Sequence, residues 1–250
     1  MLSCRRDPVS SSLNVRRAGV SCSMTAAQLL DGEKEIESAF ETLHAELGAR
    51  HDLVTDGVID AERYASSSPR MLWILREPWE DLAPDEAGGG WSVTKDVFSQ
   101  PITSNRGALP VMAYIAYSVF NGFPLFEGMD YATKNPAIAE ALKSVASINI
   151  KKTPGKTSSY LPEIAAHFQQ NRALLVRQVK LLAPRVIIAG GTLRHFYSEF
   201  GLSDSAFNKE RSAWFCEQGG VLYIHANHPA QRRAKGRYID DIVSIIKEFT

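Results

Sequence analysis

Four short apolar runs punctuate the chain at wide spacing: Met71-Leu72-Trp73-Ile74-Leu75, Val145-Ala146-Ser147-Ile148-Asn149-Ile150, Val186-Ile187-Ile188-Ala189 and Val221-Leu222-Tyr223-Ile224-His225. Each is near-continuous rather than alternating, as expected of strands buried on both faces of a parallel sheet. Between them the apolar positions take helical spacing, over about 107–120, 136–143, 162–182, 192–200 and 236–248. The clearest of these is 162–182. Pro162 suits a first turn, Ile164, Phe168, Leu175, Val179 and Leu182 form one face, and Pro184 ends it. A further helix is predicted from Met24 to Gly48, capped by Thr25, with Leu29, Leu30, Ile36, Phe40, Leu43 and Leu47 recurring along it. Strands alternating with helices predict an α/β domain over residues 24–250 whose four strands form one parallel sheet.

Composition narrows the class without naming it. The 250 residues are 44% hydrophobic and 22% charged, which excludes collagen-like, low-complexity and wholly disordered chains. Lys plus Arg equals Asp plus Glu at 28 each, so no global basic charge advertises nucleic acid. No apolar run reaches the roughly 18 residues of a membrane span. The three cysteines, Cys4, Cys22 and Cys216, form neither a disulfide framework nor a Cys-x-x-Cys metal pattern, and the expected location is the reducing cytoplasm. Residues 1–23 differ: four arginines against Asp7, six serines and few large apolar side chains predict a disordered basic arm. An organelle-targeting segment and a dispensable extension ahead of Met24 are both compatible with it.

In an open parallel sheet, ligands bind outside the carboxyl ends of the strands. The exit of the first strand carries Arg76-Glu77-Pro78-Trp79-Glu80-Asp81, and the second ends Asn149-Ile150-Lys151-Lys152-Thr153-Pro154-Gly155. The third gives Gly190-Gly191-Thr192 and the fourth His225-Ala226-Asn227-His228-Pro229. Folded together, these place a carboxylate, an amide, a glycine turn and an imidazole on one rim.

That order of strand ends resembles the uracil-DNA glycosylase superfamily, and more narrowly an uncharacterised branch with motifs like Ile74-Leu75-Arg76-Glu77-Pro78, Asn149-Ile150-Lys151-Lys152-Thr153-Pro154-Gly155 and a late His228-Pro229. The resemblance covers roughly residues 56–248. It implies a three-layer α/β/α fold with a central four-stranded parallel sheet, and hydrolysis of the N-glycosidic bond of uracil or another deaminated base in DNA. It implies Glu77 and His228 as catalytic residues, the first acting on water or the sugar cation and the second on the departing base. Asn149 would read the base edge, with Pro78 and Trp79 beside it. Arg76, Lys151, Gly191, Arg232 and Arg233 would meet phosphates. The chemistry suits these residue types: an oxocarbenium-like sugar wants a nearby carboxylate, and an anionic leaving base wants a donor. The expected partner is DNA, single-stranded or a duplex holding a damaged base, or a free nucleobase or nucleoside. No metal, cofactor or obligate protein partner is implied, and the family branches that bind a cluster need four cysteines.

The sequence also departs from the family pattern. Leu75 replaces the Gly that opens the first motif, and Arg76 after it is placed to pair with Glu77 or to hold a phosphate. Glu77 is one methylene longer than the usual Asp, and Ala230-Gln231 follows His228-Pro229 where the family tends to have Ser-Pro. That loss weakens the expectation of a duplex grip. A non-catalytic nucleic-acid- or nucleobase-binding protein on the same fold is the competing reading. In it Glu77 is a solvated or Arg76-paired carboxylate, Asn149 a strand-end cap and His228 a turn residue before proline.

Three further segments carry suggestive residues. Thr153-Pro154-Gly155-Lys156-Thr157 imitates a phosphate loop, but Ile150 stands where the full motif needs its first Gly. Gly88-Gly89-Gly90 reads as a flexible loop or lid, flanked by Trp79 and Trp91, either of which can stack on a base or pack in a core. Gln231-Arg232-Arg233-Ala234-Lys235-Gly236-Arg237 holds four cations and no acid, and Arg106, Lys151, Lys152 and Lys156 could join it on the rim.

Overall fold

The structure, a computed structural model, describes residues 24–48, 51–83, 86–104, 106–230 and 234–250. The predicted arm 1–23 and the candidate phosphate ligands Arg232 and Arg233 lie outside the described residues.

The four apolar runs are strands β2 (Met71–Leu75), β3 (Val145–Asn149), β4 (Val186–Gly190) and β6 (Val221–Ala226). β2 pairs parallel with β3 on one side and with β4 on the other, and β4 pairs parallel with β6. The sheet is larger than the expected four strands and it is mixed. The two-residue β1 (Gly57–Val58) adds antiparallel to β3, and β5 (Trp214–Gln218) adds antiparallel to β6, giving the order β1-β3-β2-β4-β6-β5.

Continuous apolar runs are explained by cores on both faces. Met71 and Trp73 of β2 face a core with α3 (Ala108–Phe120), α4 (Pro136–Glu140) and α7 (Lys235–Phe249), through Met112, Ile115, Ile138 and Ile242. Leu72 and Ile74, one residue out of phase, face the other core. There α1 (Ala26–Glu46), α2 (Ala61–Ser66) and α5 (Leu161–Leu182) contribute Leu29, Phe40, Tyr64, Phe168 and Leu175, and α6 (Tyr197–Phe200) packs at the edge. With both phases buried, the strand interiors are apolar apart from Ser147 in the middle of β3, and polar side chains gather at the strand ends. α1 starts with a reciprocal cap in which the Thr25 side chain accepts from Gln28 N–H and Gln28 returns the bond. Among the described residues, no helix is long and apolar enough to cross a membrane.

Two predicted helices are shorter than expected. The 136–143 segment is α4 followed by a 3₁₀ turn at Ala141–Ser144, and 192–200 is a 3₁₀ turn at Leu193–Phe196 followed by α6. The first runs directly into β3 at Val145, and the second is stopped by Gly201 in the left-handed conformation. A π-helical segment, Val93–Phe98, was not expected at all.

The connectivity positions the site. From β2 the chain passes outward to β3, then returns beyond β2 to β4 and on to β6. Neighbours β2 and β4 therefore send their connections to opposite sides, and the crevice of such a sheet opens at that reversal, above the carboxyl ends.

Candidate active site

Backbone pairing beyond the ends of β2 and β3 fixes Glu77. Ile150 N–H donates to Leu75 O (3.1 Å), Lys151 N–H to Arg76 O (2.9 Å) and Gly155 N–H to Pro78 O (2.7 Å). Gly155 must lack a side chain, because a methyl group there would collide with the Glu77 carboxyl. The Glu77 side chain is consequently only 6% exposed. Its Oε2 lies 3.3 Å from Lys151 Nζ, while Oε1 is buried and accepts no hydrogen bond from the described residues. Leaving a buried acceptor unmet costs about 1–3 kcal/mol, so such an atom marks a place where a water or a ligand completes the site.

Two cavities meet at this carboxylate. One, of about 690 Å³, is walled mainly by apolar side chains such as Leu75, Val93, Phe98 and Met112, and Glu77, Asn149 and His228 share its lining. Pro78 and Trp79 line it as well, and Trp79 stands 60% exposed. The other, of about 590 Å³, is polar and is lined by His44, His51 and His167 together with Glu77, Lys151 and Lys156.

His228 reaches the Glu77 side because the β6 exit lies across β4. Gly190 permits this: a side chain there would place its first carbon 3.0 Å from Leu75 Cδ2 and 3.3 Å from Pro229 Cδ. His228 Nδ1 accepts from Ala230 N–H at 3.3 Å, which puts the proton of the neutral ring on Nε2 and makes that nitrogen a donor. His225, the strand's own histidine, is half-buried against Trp214 at a ring separation of 5.6 Å, and burial holds its pKa below the ordinary value.

Asn149 is a buried end-of-strand residue held from behind by Asp56, whose Oδ2 accepts from the Asn149 backbone N–H (2.7 Å) and lies 3.4 Å from its Nδ2. Asp56 is itself closed by Lys152 (2.6 Å) and Gln178 (3.0 Å). With one amide hydrogen turned to Asp56, the second hydrogen and Oδ1 remain as a donor–acceptor pair, the complement of a pyrimidine edge.

Several cations expected on the rim have other tasks. Lys151 is buried, with its ammonium 2.6 Å from Glu163 Oε1 as well as 3.3 Å from Glu77, so it neutralises carboxylates rather than meeting a phosphate. Lys152 is 2% exposed and committed to Asp56. Lys235 lies over the Tyr114 and Phe126 rings (4.5 and 5.6 Å), and burial lowers its pKa. Gly191 does not offer its amide to an anion: the N–H donates to Ala226 O (2.7 Å) and Ala189 O (2.9 Å). Arg76 turns away from Glu77 and packs its guanidinium over Gly191, where a Cβ would come 2.7 Å from Nη2. Its buried Nε has no partner among the described residues.

The glycine loop is no lid. Asp52 N–H donates to Gly88 O (2.8 Å), Gly88 N–H to His51 Nδ1 (3.1 Å) and Gly90 N–H to Leu53 O (3.0 Å). Glu80 Oε2 then accepts from Gly89 N–H (3.0 Å) and from Trp91 Nε1 (2.8 Å), which pins the loop to the β2 exit.

Sequence reasoning missed the histidine-lined cavity. His44 comes from α1, His51 from the following segment and His167 from α5, and no motif spacing links them. Burial pushes the His44 and His167 pKa values down, with Lys152 and Lys151 respectively adding to the effect, so both rings stay neutral near pH 7. His44 Nδ1 is buried without a partner among the described residues. Those residues contain no group of three or more His, Cys, Asp or Glu side chains arranged to hold a metal ion.

No protein-family profile matches the chain, and no curated protein sequence matches it.

Proposed function

We infer that this chain is a uracil-DNA glycosylase-like N-glycosylase, hydrolysing the bond between deoxyribose and uracil or another deaminated base. The observation that carries the reading is that Glu77, Asn149 and His228, from three different strand exits, line one cavity, with an unpartnered carboxylate oxygen on Glu77. At about 690 Å³ the cavity falls in the range of roughly 300–1,000 Å³ usual for small-ligand sites. Its apolar walls suit a base taken out of a stack, and exposed Trp79 offers it a ring face.

In this mechanism the C1′–N bond breaks with its electron pair leaving on the base, and the sugar gains oxocarbenium character. The Nε2–H of His228 donates to the developing base anion, and Asn149 pairs with the base edge. Glu77 Oε1 holds a water that attacks C1′, and the water's proton passes to the carboxylate. The Lys151 ammonium lies 3.3 Å from Oε2 and holds the carboxylate in place for a reaction whose main need is stabilisation of a developing sugar cation.

The test is release of free base from oligonucleotides carrying uracil, hypoxanthine or xanthine, compared with the Glu77→Gln variant. Release by the native chain that the variant loses supports the reading. Absence of release from all three, with a base analogue still bound, supports the non-catalytic alternative.

A further inference from the structure

The glycosylase reading uses one of the two cavities that share Glu77, and leaves the other without a task. That second cavity is not generic surface. Its lining includes Glu77 and His44, and the His44 Nδ1 is buried without a partner among the described residues. One wall is the Thr153-Pro154-Gly155-Lys156 loop, the segment whose sequence imitates a phosphate loop. Its glycine is spent on making room for Glu77, but exposed Lys156 remains on the cavity wall. Tyr160 lines the mouth and is 68% exposed, one of the most open aromatic side chains described.

Trp79 and Tyr160 therefore stand on the two sides of one carboxylate, each on the lining of its own cavity. The intervening chain is tied together, since Trp79 bridges Gly155 and Glu80 N–H donates to Gly155 O at 3.3 Å. Exposed aromatic rings joined by a cation are what proteins use to hold successive bases of a single strand, because every base has a stacking face and every link a phosphate. A free nucleobase would fill one cavity and leave the second empty.

We propose that the histidine-lined cavity binds the nucleotide adjoining the target in a single DNA strand, with its base on Tyr160 and its phosphate at Lys156. The assignment rests on the glycosylase reading for which nucleotide is the target, and it specifies a strand of at least two nucleotides rather than a nucleoside as the substrate. A paired duplex cannot present two neighbouring unstacked bases without opening both pairs.

The experiment compares binding of a fluorescent uracil-containing single-stranded oligonucleotide with that of deoxyuridine monophosphate, at low salt, on the full chain. The native protein is expected to prefer the strand by about tenfold or more, the worth of one stacked base. Tyr160→Ala should close most of that gap and Tyr160→Phe should keep it, because the ring and not the hydroxyl does the stacking. Lys156→Ala should flatten the log–log salt slope by about 0.7, the loss of one single-strand phosphate contact. No preference for the strand in the native protein, or a preference that survives Tyr160→Ala, overturns the proposal. Base release that persists beside such a result would leave the glycosylase reading standing. Tyr160-dependent strand binding without base release from any substrate would keep the second-nucleotide site and remove the glycosylase.

Discussion

Lys151 and Lys152 are neighbours in sequence, and each reaches a carboxylate, but the two ion pairs are built differently. Lys152 and Asp56 are 2.6 Å apart with side chains 2% and 1% exposed, and each has a second partner in Gln178. Lys151 divides its charge between Glu77 at 3.3 Å and Glu163 at 2.6 Å, and Glu77 Oε1 has no donor among the described residues. The first arrangement is saturated and the second is not. A saturated buried pair fixes the β3 exit and the amide of Asn149, whereas an unsaturated one keeps hydrogen-bonding capacity for something that arrives. The two lysines part just beyond the end of β3, where the chain bends at Ile150 and Lys151.

Substitutions on the two sides should therefore fail in different measurements. Glu77→Gln should lower base release by between about a hundredfold and ten-thousandfold, while binding of an abasic product strand and the urea midpoint change little. A variant that unfolds easily but turns over normally would reverse the assignment. Lys152→Met should do the opposite, costing about 3–5 kcal/mol in urea unfolding, because it strands Asp56 as an unpaired buried charge. His228→Ala is expected to cost on the order of a hundredfold in release at unchanged stability, as for one donor to a developing anion.

The smallest expected effect separates the two sides by pH. Burial pushes the Glu33 carboxyl up to about 7, next to the saturated pair, with Val58 N–H donating to it at 2.9 Å. Its folded value lies above its ordinary 4.5, so the native state holds the extra proton between the two. Its contribution to stability is then full below about 4.5 and declines as pH rises to about 7. Glu33→Gln should remove this decline, on the order of 2 kcal/mol once solvent screening of a half-buried group is allowed for. Urea midpoints at pH 5 and pH 8 check it, and an unchanged difference between them would leave Glu33 out of the network.

How far the molecule could be read without its structure depends on the range of the interactions. The four central strands are legible because burial on both faces writes an unbroken apolar run, and Glu77, Asn149 and His228 are legible because they interrupt such runs at their ends. β1 has two residues and no pattern. β5 does carry a signal in the Gly219-Gly220 pair, whose residues both take positive φ and join it to β6 as a two-residue hairpin. In sequence the lysines look like rim cations, because Asp56, Glu163 and Gln178, the residues that claim them, lie elsewhere in the chain. The glycine loop looked mobile for the same reason, as the groups that stitch it down come from His51 to Leu53 and from Glu80. Side-chain charge is visible in a sequence, but its neutralisation is a tertiary fact.

The short antiparallel flanks have a consequence that concerns other copies of the chain. A sheet of four parallel apolar strands would end in two bare rows of backbone donors and acceptors, each a template for a strand from another molecule. On one side the backbone N–H of Asn149 is taken by the Asp56 side chain and β1 pairs with Ala146 and Ser147. On the other, β5 covers β6 along its length, and β5 is itself bridged at Phe215 by Asn208. Both borders of the parallel strands are thus capped by short antiparallel pieces. Weakening the Gly219-Gly220 turn is expected to appear first as concentration-dependent self-association in light scattering, before any loss at Glu77.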